Sequence, residues 1–232
     1  MISNIVHSAI LATVLSCCAI SIGPAQTPDD DHRPLGFIRV LDAVSAGTDK
    51  LEVLIDGVTV RSEGYQLGNV TGGIALKPNT YQVMFRRAGV KEGVTRVPVL
   101  ANDTTILIPF AEPLPVKDGT PARWEIRVLK LKQLETGDGR TASFVSVSHQ
   151  SELRIEIRQA GKWEPVEVKR LAIARTDIRQ ARGYLPVRCN GQPLSAISVA
   201  ATGHFVAVLF DDENGTLRSR NFQDYKYSGS KK

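Results

Sequence analysis

Cysteine is scarce in this chain of 232 residues, which has three, at positions 17, 18 and 189. Two of them sit in an apolar leader, so one thiol is left for the body of the protein and an internal disulfide framework is excluded. Histidine is almost as rare. His7, His32, His149 and His204 stand isolated, with no CxxC, HxH or HExxH spacing, so the sequence specifies no metal site and no cofactor. A GxSxG elbow is absent, and the glycine-rich stretch 68–73 lacks the GK[ST] continuation that would cradle a phosphate. No apolar run reaches the ~20 residues of a membrane-spanning helix. With no catalytic residues to name, the expectation is a protein that is not an enzyme.

The N-terminal 28 residues contain no Asp, Glu, Lys or Arg. Ala9 to Ile22 is apolar or small, the length of a signal-peptide h-region, and Gly23-Pro24-Ala25 supplies small residues for cleavage after Ala25. The alternative is a lipoprotein-like cut in Val14-Leu15-Ser16-Cys17, which would lipidate Cys17 and bring the protein to a membrane. Either cut implies export to the periplasm or cell surface. Asp29-Asp30-Asp31-His32 then reads as a flexible acidic segment, 26–35, without the loop that gathers oxygen ligands around an ion.

What the chain does have is alternation. Leu51, Val53 and Ile55 share one face with Glu52 and Asp56 on the other, and Tyr81, Val83 and Phe85 repeat the pattern. Asp56-Gly57, Asn190-Gly191 and Asn214-Gly215 are hairpin signals, since Gly accepts the positive φ of a type I′ turn. Further on, Leu153, Ile155 and Ile157 alternate with Glu152, Arg154, Glu156 and Arg158, and Cys189 falls in phase with Leu185 and Val187 as a buried strand position. Val128-Leu129 breaks the alternation of Trp124, Ile126 and Val128, a place for a bulge. Leu171 to Arg182 has apolar residues at helical spacing but no cap, so a helix and an irregular crossover both remain open. The expected fold is all-β, two tandem immunoglobulin-like sandwiches. The expected layout is a signal segment 1–25, a first sandwich 36–110, a Pro-rich linker 111–121, a second sandwich 122–224 with its own core, and a polar tail 225–232.

Charge divides unevenly along these boundaries. Residues 33–121 carry 10 Lys/Arg against 9 Asp/Glu, whereas residues 122–232 carry 19 against 12. Arg123, Arg127, Lys130, Lys132, Arg154, Arg158, Lys169 and Arg170 are thus candidate contacts for a polyanion or an acidic partner. Export makes an envelope protein or an acidic polysaccharide the expected partner, and no nucleic acid.

The segments FIRVLDA, LEVLIDGVTV, LGNVTGGIALKPNTYQVMFR and RVPVLANDTTILIPF, within 36–110, resemble an exported bacterial β-sandwich domain family of unassigned function. Asn79 stands where that family has Gly before Thr-Tyr, and Asn tolerates a left-handed backbone. SELRIEIRQAGKWEPVEV, YLPVRCNGQPLSAISV and GHFVAVLFDDENGTLRSRNF follow in an order that, with the first half, resembles the periplasmic alginate O-acetylation accessory proteins. That resemblance implies non-catalytic adaptor work in exopolysaccharide modification or export. The competing reading is a surface structural module that joins its neighbours by sheet-edge pairing, with no polysaccharide role.

Overall fold

The computed structural model describes residues 34–115, 123–133, 139–179, 182–200 and 202–225. The leader with Cys17 and Ala25, the acidic run Asp29 to His32, residues 116–122 and the tail beyond Tyr225 lie outside the described residues.

Sixteen strands and no helix make up the described chain. The first eight are β1 (Gly36–Val40), β2 (Thr48–Ile55), β3 (Val58–Thr59), β4 (Ile74–Leu76), β5 (Asn79–Ala88), β6 (Val90–Val99), β7 (Thr104–Pro113) and β8 (Trp124–Lys132). They are followed by β9 (Arg140–Ser146), β10 (Glu152–Gln159), β11 (Lys162–Lys169), β12 (Ile173–Asp177), β13 (Gly183–Cys189), β14 (Gln192–Val199), β15 (Gly203–Asp211) and β16 (Leu217–Asp224). The turns are those the sequence chemistry demands. Asp56-Gly57 and Asn190-Gly191 both have positive φ at each residue, and Ala160-Gly161 adopts the same pair of angles. Asn214-Gly215 differs: only Gly215 is left-handed, and Asp212 closes the loop by accepting from the backbone N–H of Asn214 and Thr216.

Strand order exposes an internal repeat. One sheet runs β3-β2-β5-β6-β8-β7-β1-β4, and it folds over where β6 meets β8 at a single pair, Lys91 with Glu125. Its leaves enclose one core, in which Leu51, Val53, Val83, Phe85 and Val97 meet Ile38, Val40, Leu107 and Ile126. The second half has sheets β11-β10-β13-β14 and β12-β9-β15-β16 around Phe144, Ile155, Ile157, Leu185, Cys189 and Phe205. Adding eight to each strand number converts the first sandwich into the second. In both, the first strand pairs parallel with the seventh, β1 with β7 and β9 with β15. The all-β tandem of sandwiches is therefore what the structure shows.

Three expectations need correction. The boundary is not at 111–121, because β8 pairs with β7 along nine residues, from Thr105↔Lys132 to Pro113↔Trp124. The segment 124–132 closes the first sandwich, and the passage to the second falls between β8 and β9. Each half does bury a core of its own, as expected, but the two halves are not independent. A third apolar cluster joins Leu41, Ile106, Ile108, Phe110 and Leu131 of the first half to Val145, Val147, Val206, Val208 and Phe210 of the second. At roughly 1.5–3 kcal/mol for each fully buried side chain, this seam is a major part of what holds the two halves together. The seam also explains Val128-Leu129. The register of β8 is unbroken, but Val128 packs toward the first core and Leu129 toward the seam, so consecutive residues are both covered. Finally, the described part of Leu171 to Arg182 is neither a helix nor wholly irregular. It contains the strand β12, paired antiparallel with β9.

Gly93 lies where the leaves of the first sandwich join. A Cβ there would stand 2.4 Å from the backbone oxygen of Ile126 on β8, and a carbonyl cannot swing aside as a side-chain tip can. Gly93→Ala is expected to cost about 1–3 kcal/mol, read as a lower urea midpoint at unchanged m. An unshifted midpoint would mean that β6 and β8 do not approach this closely.

Candidate functional site

The eight basic residues do not form one surface. Four belong to the first sandwich: Arg123 precedes β8, Arg127 pairs with Glu125 at 2.8 Å, Lys130 donates to the Arg96 carbonyl at 3.1 Å, and Lys132 is exposed. The other four lie on β10, β11 and the turn after it. Arg154 pairs with Glu167 at 3.7 Å, while Arg158 and Lys169 are exposed. Arg170 is committed to the seam: it donates to the Ser148 carbonyl at 2.8 Å, pairs with Glu112 of the first sandwich, and lies over the Phe110 ring. Counted along the structural division, residues 33–133 carry 14 Lys/Arg against 10 Asp/Glu and residues 134–232 carry 15 against 11, a net +4 in each half. Because β8 belongs to the first sandwich, neither half is the more basic.

On the outer face of β11-β10-β13-β14 the structure assembles a group that sequence spacing concealed. Arg188 on β13 grips Glu156 on β10 with both its Nε (2.7 Å) and Nη2 (3.2 Å), and its guanidinium lies 4.0 Å from the centre of the Trp163 ring on β11. That hydrogen-bonded partner holds the Glu156 carboxyl below its usual range. Arg158 stands directly opposite Trp163, and Arg154 opposite Glu167. Farther along, the Tyr184 ring is exposed. Period-two alternation places each of these side chains outward, but only the register of three strands makes them neighbours. The result is a platform of interleaved aromatic, cationic and anionic groups, not a basic patch.

A second constellation has the chemistry of a nucleophile. His204 on β15 directs Nε2 to the Ser143 hydroxyl on β9 at 2.8 Å and Nδ1 to the Asp224 carboxylate on β16 at 3.2 Å. With Nδ1–H donating to Asp224, Nε2 is left to accept from serine, the arrangement of a hydrolase triad. Separations of 61 and 20 residues kept it invisible to a motif search. Its surroundings decide its role. Ser143 and His204 are each 2% exposed and lie in phase with the seam residues Val145, Val147, Val206 and Val208. Gln133, at the passage between the sandwiches, donates to Asp224 at 3.3 Å. Nearby, Arg39 of the first half stacks over Phe222 and donates to the Gln223 carbonyl at 2.9 Å. A nucleophile must be reached by its substrate. This one is covered by the other sandwich, so the triad fastens the seam.

Other chemistry-bearing groups are also structural. Cys189 is buried in the second core, which pushes its thiol up, with Glu156 adding to the effect. Asp211 accepts from the Ser148 hydroxyl and the His149 N–H, both at 2.8 Å, and fixes the turn after β9. Among the described residues no cluster of three or more His, Cys, Asp or Glu is placed to hold a metal ion. Along the side of the second sandwich, an open groove of about 520 Å³ runs between β11 and β12.

No family model matches the chain, and no curated protein does either. Among solved structures, a family 26 carbohydrate-binding module of Eubacterium rectale Amy13K, determined with maltoheptaose, is similar at 10% identity and a TM-score of 0.25 over 82% of this chain and 97% of that one. A putative cell adhesion protein of Bacteroides fragilis is similar at 11% identity and a TM-score of 0.21, over 85% and 99%. At these scores neither likeness bears on what this chain binds.

Two outcomes test these assignments. His204→Ala removes the partner that Ser143 and Asp224 share, and a fastening role predicts a loss of about 1–3 kcal/mol for the stranded Ser143 hydroxyl. An unaltered urea midpoint would reopen a catalytic role. Asp42, fully buried at the end of β1 with Arg87 Nη2 at 3.9 Å, has its carboxyl pushed up to about 6 by burial, against the pull of Arg87 and the Val44 N–H. The folded value exceeds the ordinary 3.8, so no cost arises below pH ~4, and stability falls as pH rises through ~6. Asp42→Asn should abolish this decline, of up to about 3 kcal/mol, in melting profiles between pH 4 and 8. A variant with the same pH slope as the wild type would assign the decline elsewhere.

Proposed function

We propose that the chain is an exported, non-catalytic binding module whose exposed strands and outer faces recognise a partner protein of the cell envelope. The observation that carries this reading is the sealing of the Ser143–His204–Asp224 group. The outward apolar faces of both sandwiches are spent on each other, and among the described residues the nucleophile-like Ser143–His204–Asp224 constellation lies between them. What faces solvent is an ion-paired platform and the edges of the sheets, surfaces suited to binding. The charge-free leader supports export. The equal division of charge between the halves removes the main support for an acidic polymer as the ligand. The resemblance to alginate O-acetylation accessory proteins supports a narrower version, in which the partner belongs to an exopolysaccharide-modifying assembly.

The test has three arms. Photo-crosslinkers placed singly at Tyr184, on the platform, and at Val94, on the outer sheet of the first sandwich, are read in intact cells. Discrete adducts from Tyr184 with none from Val94 are expected. Turnover of p-nitrophenyl esters that Ser143→Ala abolishes would refute the non-catalytic reading. Saturable, salt-sensitive binding of alginate, with no protein adduct, would replace the protein partner by the polymer.

A further inference from the structure

Edge strands are where a sheet protein is open to another chain, because each presents a row of unpaired backbone groups. Six strands end the sheets described here: β3 and β4 in the first sandwich, β11, β14, β12 and β16 in the second. Five of them are blunted. β3 and β4 are two and three residues long, and their connection, residues 60–73, adds further backbone pairing. Tyr65 exchanges hydrogen bonds of 2.8 Å with Leu51, and the Thr71 N–H donates to the Val40 carbonyl at 2.9 Å. β14 and β16 are tied to each other: the Ser195 N–H and hydroxyl bond to Ser219, and the Asn221 amide donates to the Ser195 carbonyl. β11 carries Pro165 in its middle, a residue that cannot donate to a ladder.

β12 is tied at its far end, where the Gln159 side-chain amide donates to the Asp177 carbonyl at 3.1 Å, and its first four residues have none of these devices. It pairs with β9 over all five residues on one side and ends its sheet on the other. It contains no proline, and the connection that precedes it is only residues 170–172, too short to cover it. Beside it lies the open groove, walled on the far side by Pro165 and Lys169 of β11 and on the near side by Ile173 and Arg175. Leu171 and Ile173 are 42% and 44% exposed, large apolar groups next to a bare edge. The entry to β12 is held in place: Leu171 has a left-handed backbone at φ 59°, its N–H donates to the Ser146 carbonyl at 2.7 Å, and the neighbouring Arg170 is clamped to Glu112. An edge fixed in advance spares an incoming strand the cost of ordering it.

Charge selects the occupant. Lys169 and Arg175 flank the groove; of the acids, Glu167 is paired with Arg154, and Asp177 stands at the far end of the strand. Pairing of β12 with a second copy, antiparallel about its middle residue, would set Arg175 against Arg175, and like charges directly opposite destabilise. We propose that the edge of β12 is a strand-addition site for an extended acidic segment of a partner protein. The inference rests on the binding-module reading and gives it a place and a partner chemistry. Main-chain hydrogen bonds to β12 supply affinity, alternate apolar side chains cover Ile173 and Leu171, and carboxylates meet Lys169 and Arg175.

The experiment uses the full chain with a short capped peptide alternating valine and glutamate, and its valine–lysine counterpart. Hydrogen exchange should show the glutamate peptide protecting amides in 173–177 at low salt, with protection weakening at high salt. Arg175→Glu should lower its affinity about tenfold, and Ile173→Lys should also weaken it. Absence of protection at 173–177, protection elsewhere, or equal binding of the two peptides would overturn the proposal. Self-association with 173–177 protected in the absence of peptide would overturn it in favour of a second copy. If β12 fails while adducts from Tyr184 persist, this site falls and the binding-module reading stands; if both fail, both fall.

Discussion

The seam between the two inner sheets sets the terms for the rest of the molecule. Each sandwich has a sheet whose outward face is apolar, β4-β1-β7-β8 in one and β12-β9-β15-β16 in the other, and each face covers its counterpart. The central strands are therefore buried on both sides, as strands in the middle of a layered sheet must be. β7 reads ILIPFA and β15 reads FVAVLF for this reason, where a half-solvated strand would alternate. Neither sandwich has a soluble inner sheet of its own, so the two halves stand or fall as one.

Burying that much surface imposes a condition on every polar group caught inside. A buried donor or acceptor without a partner costs about 1–3 kcal/mol, so the seam must supply partners across it. It does so at several points: Ser143–His204–Asp224 with Gln133, Arg39 against Phe222 and the Gln223 carbonyl, and Arg170 with Glu112 and Ser148. Residues that look functional by type are thereby explained as fasteners. Chemistry that depends on solvent access is displaced to the outer sheets, whose alternation leaves a polar face.

This arrangement also explains which features were legible in the sequence. Alternation in 51–55, 81–85 and 153–157 belongs to outer strands with one dry face, and those strands, with their Asp-Gly and Asn-Gly turns, were readable directly. The inner strands gave a different sign, the continuous apolar runs at 106–111 and 205–210, which mark strands covered on both faces but do not say by what. Proline and glycine at 113–121 resembled a linker because a long hairpin connection and a domain linker use the same residues. That misplacement moved Arg123, Arg127, Lys130 and Lys132 into the wrong half and created a charge asymmetry. The Arg188–Trp163–Glu156 group and the triad depend on strand register between distant segments, which no local pattern records.

Two copies of one topology give a comparison within a single chain. The same place is closed in different ways: β6 meets β8 through backbone near Gly93, while β14 meets β16 through the side chains of Ser195, Ser219 and Asn221. Across the sandwich, the first copy spends residues 60–73 on shielding its edges, and the second crosses from β11 to β12 in residues 170–172. Shielding an exposed edge guards against unwanted pairing, so its omission in one copy is not neutral. Topology is constrained by the seam and must be kept in both halves. Edges are not so constrained, and it is there that the second copy has been left able to take on a further strand.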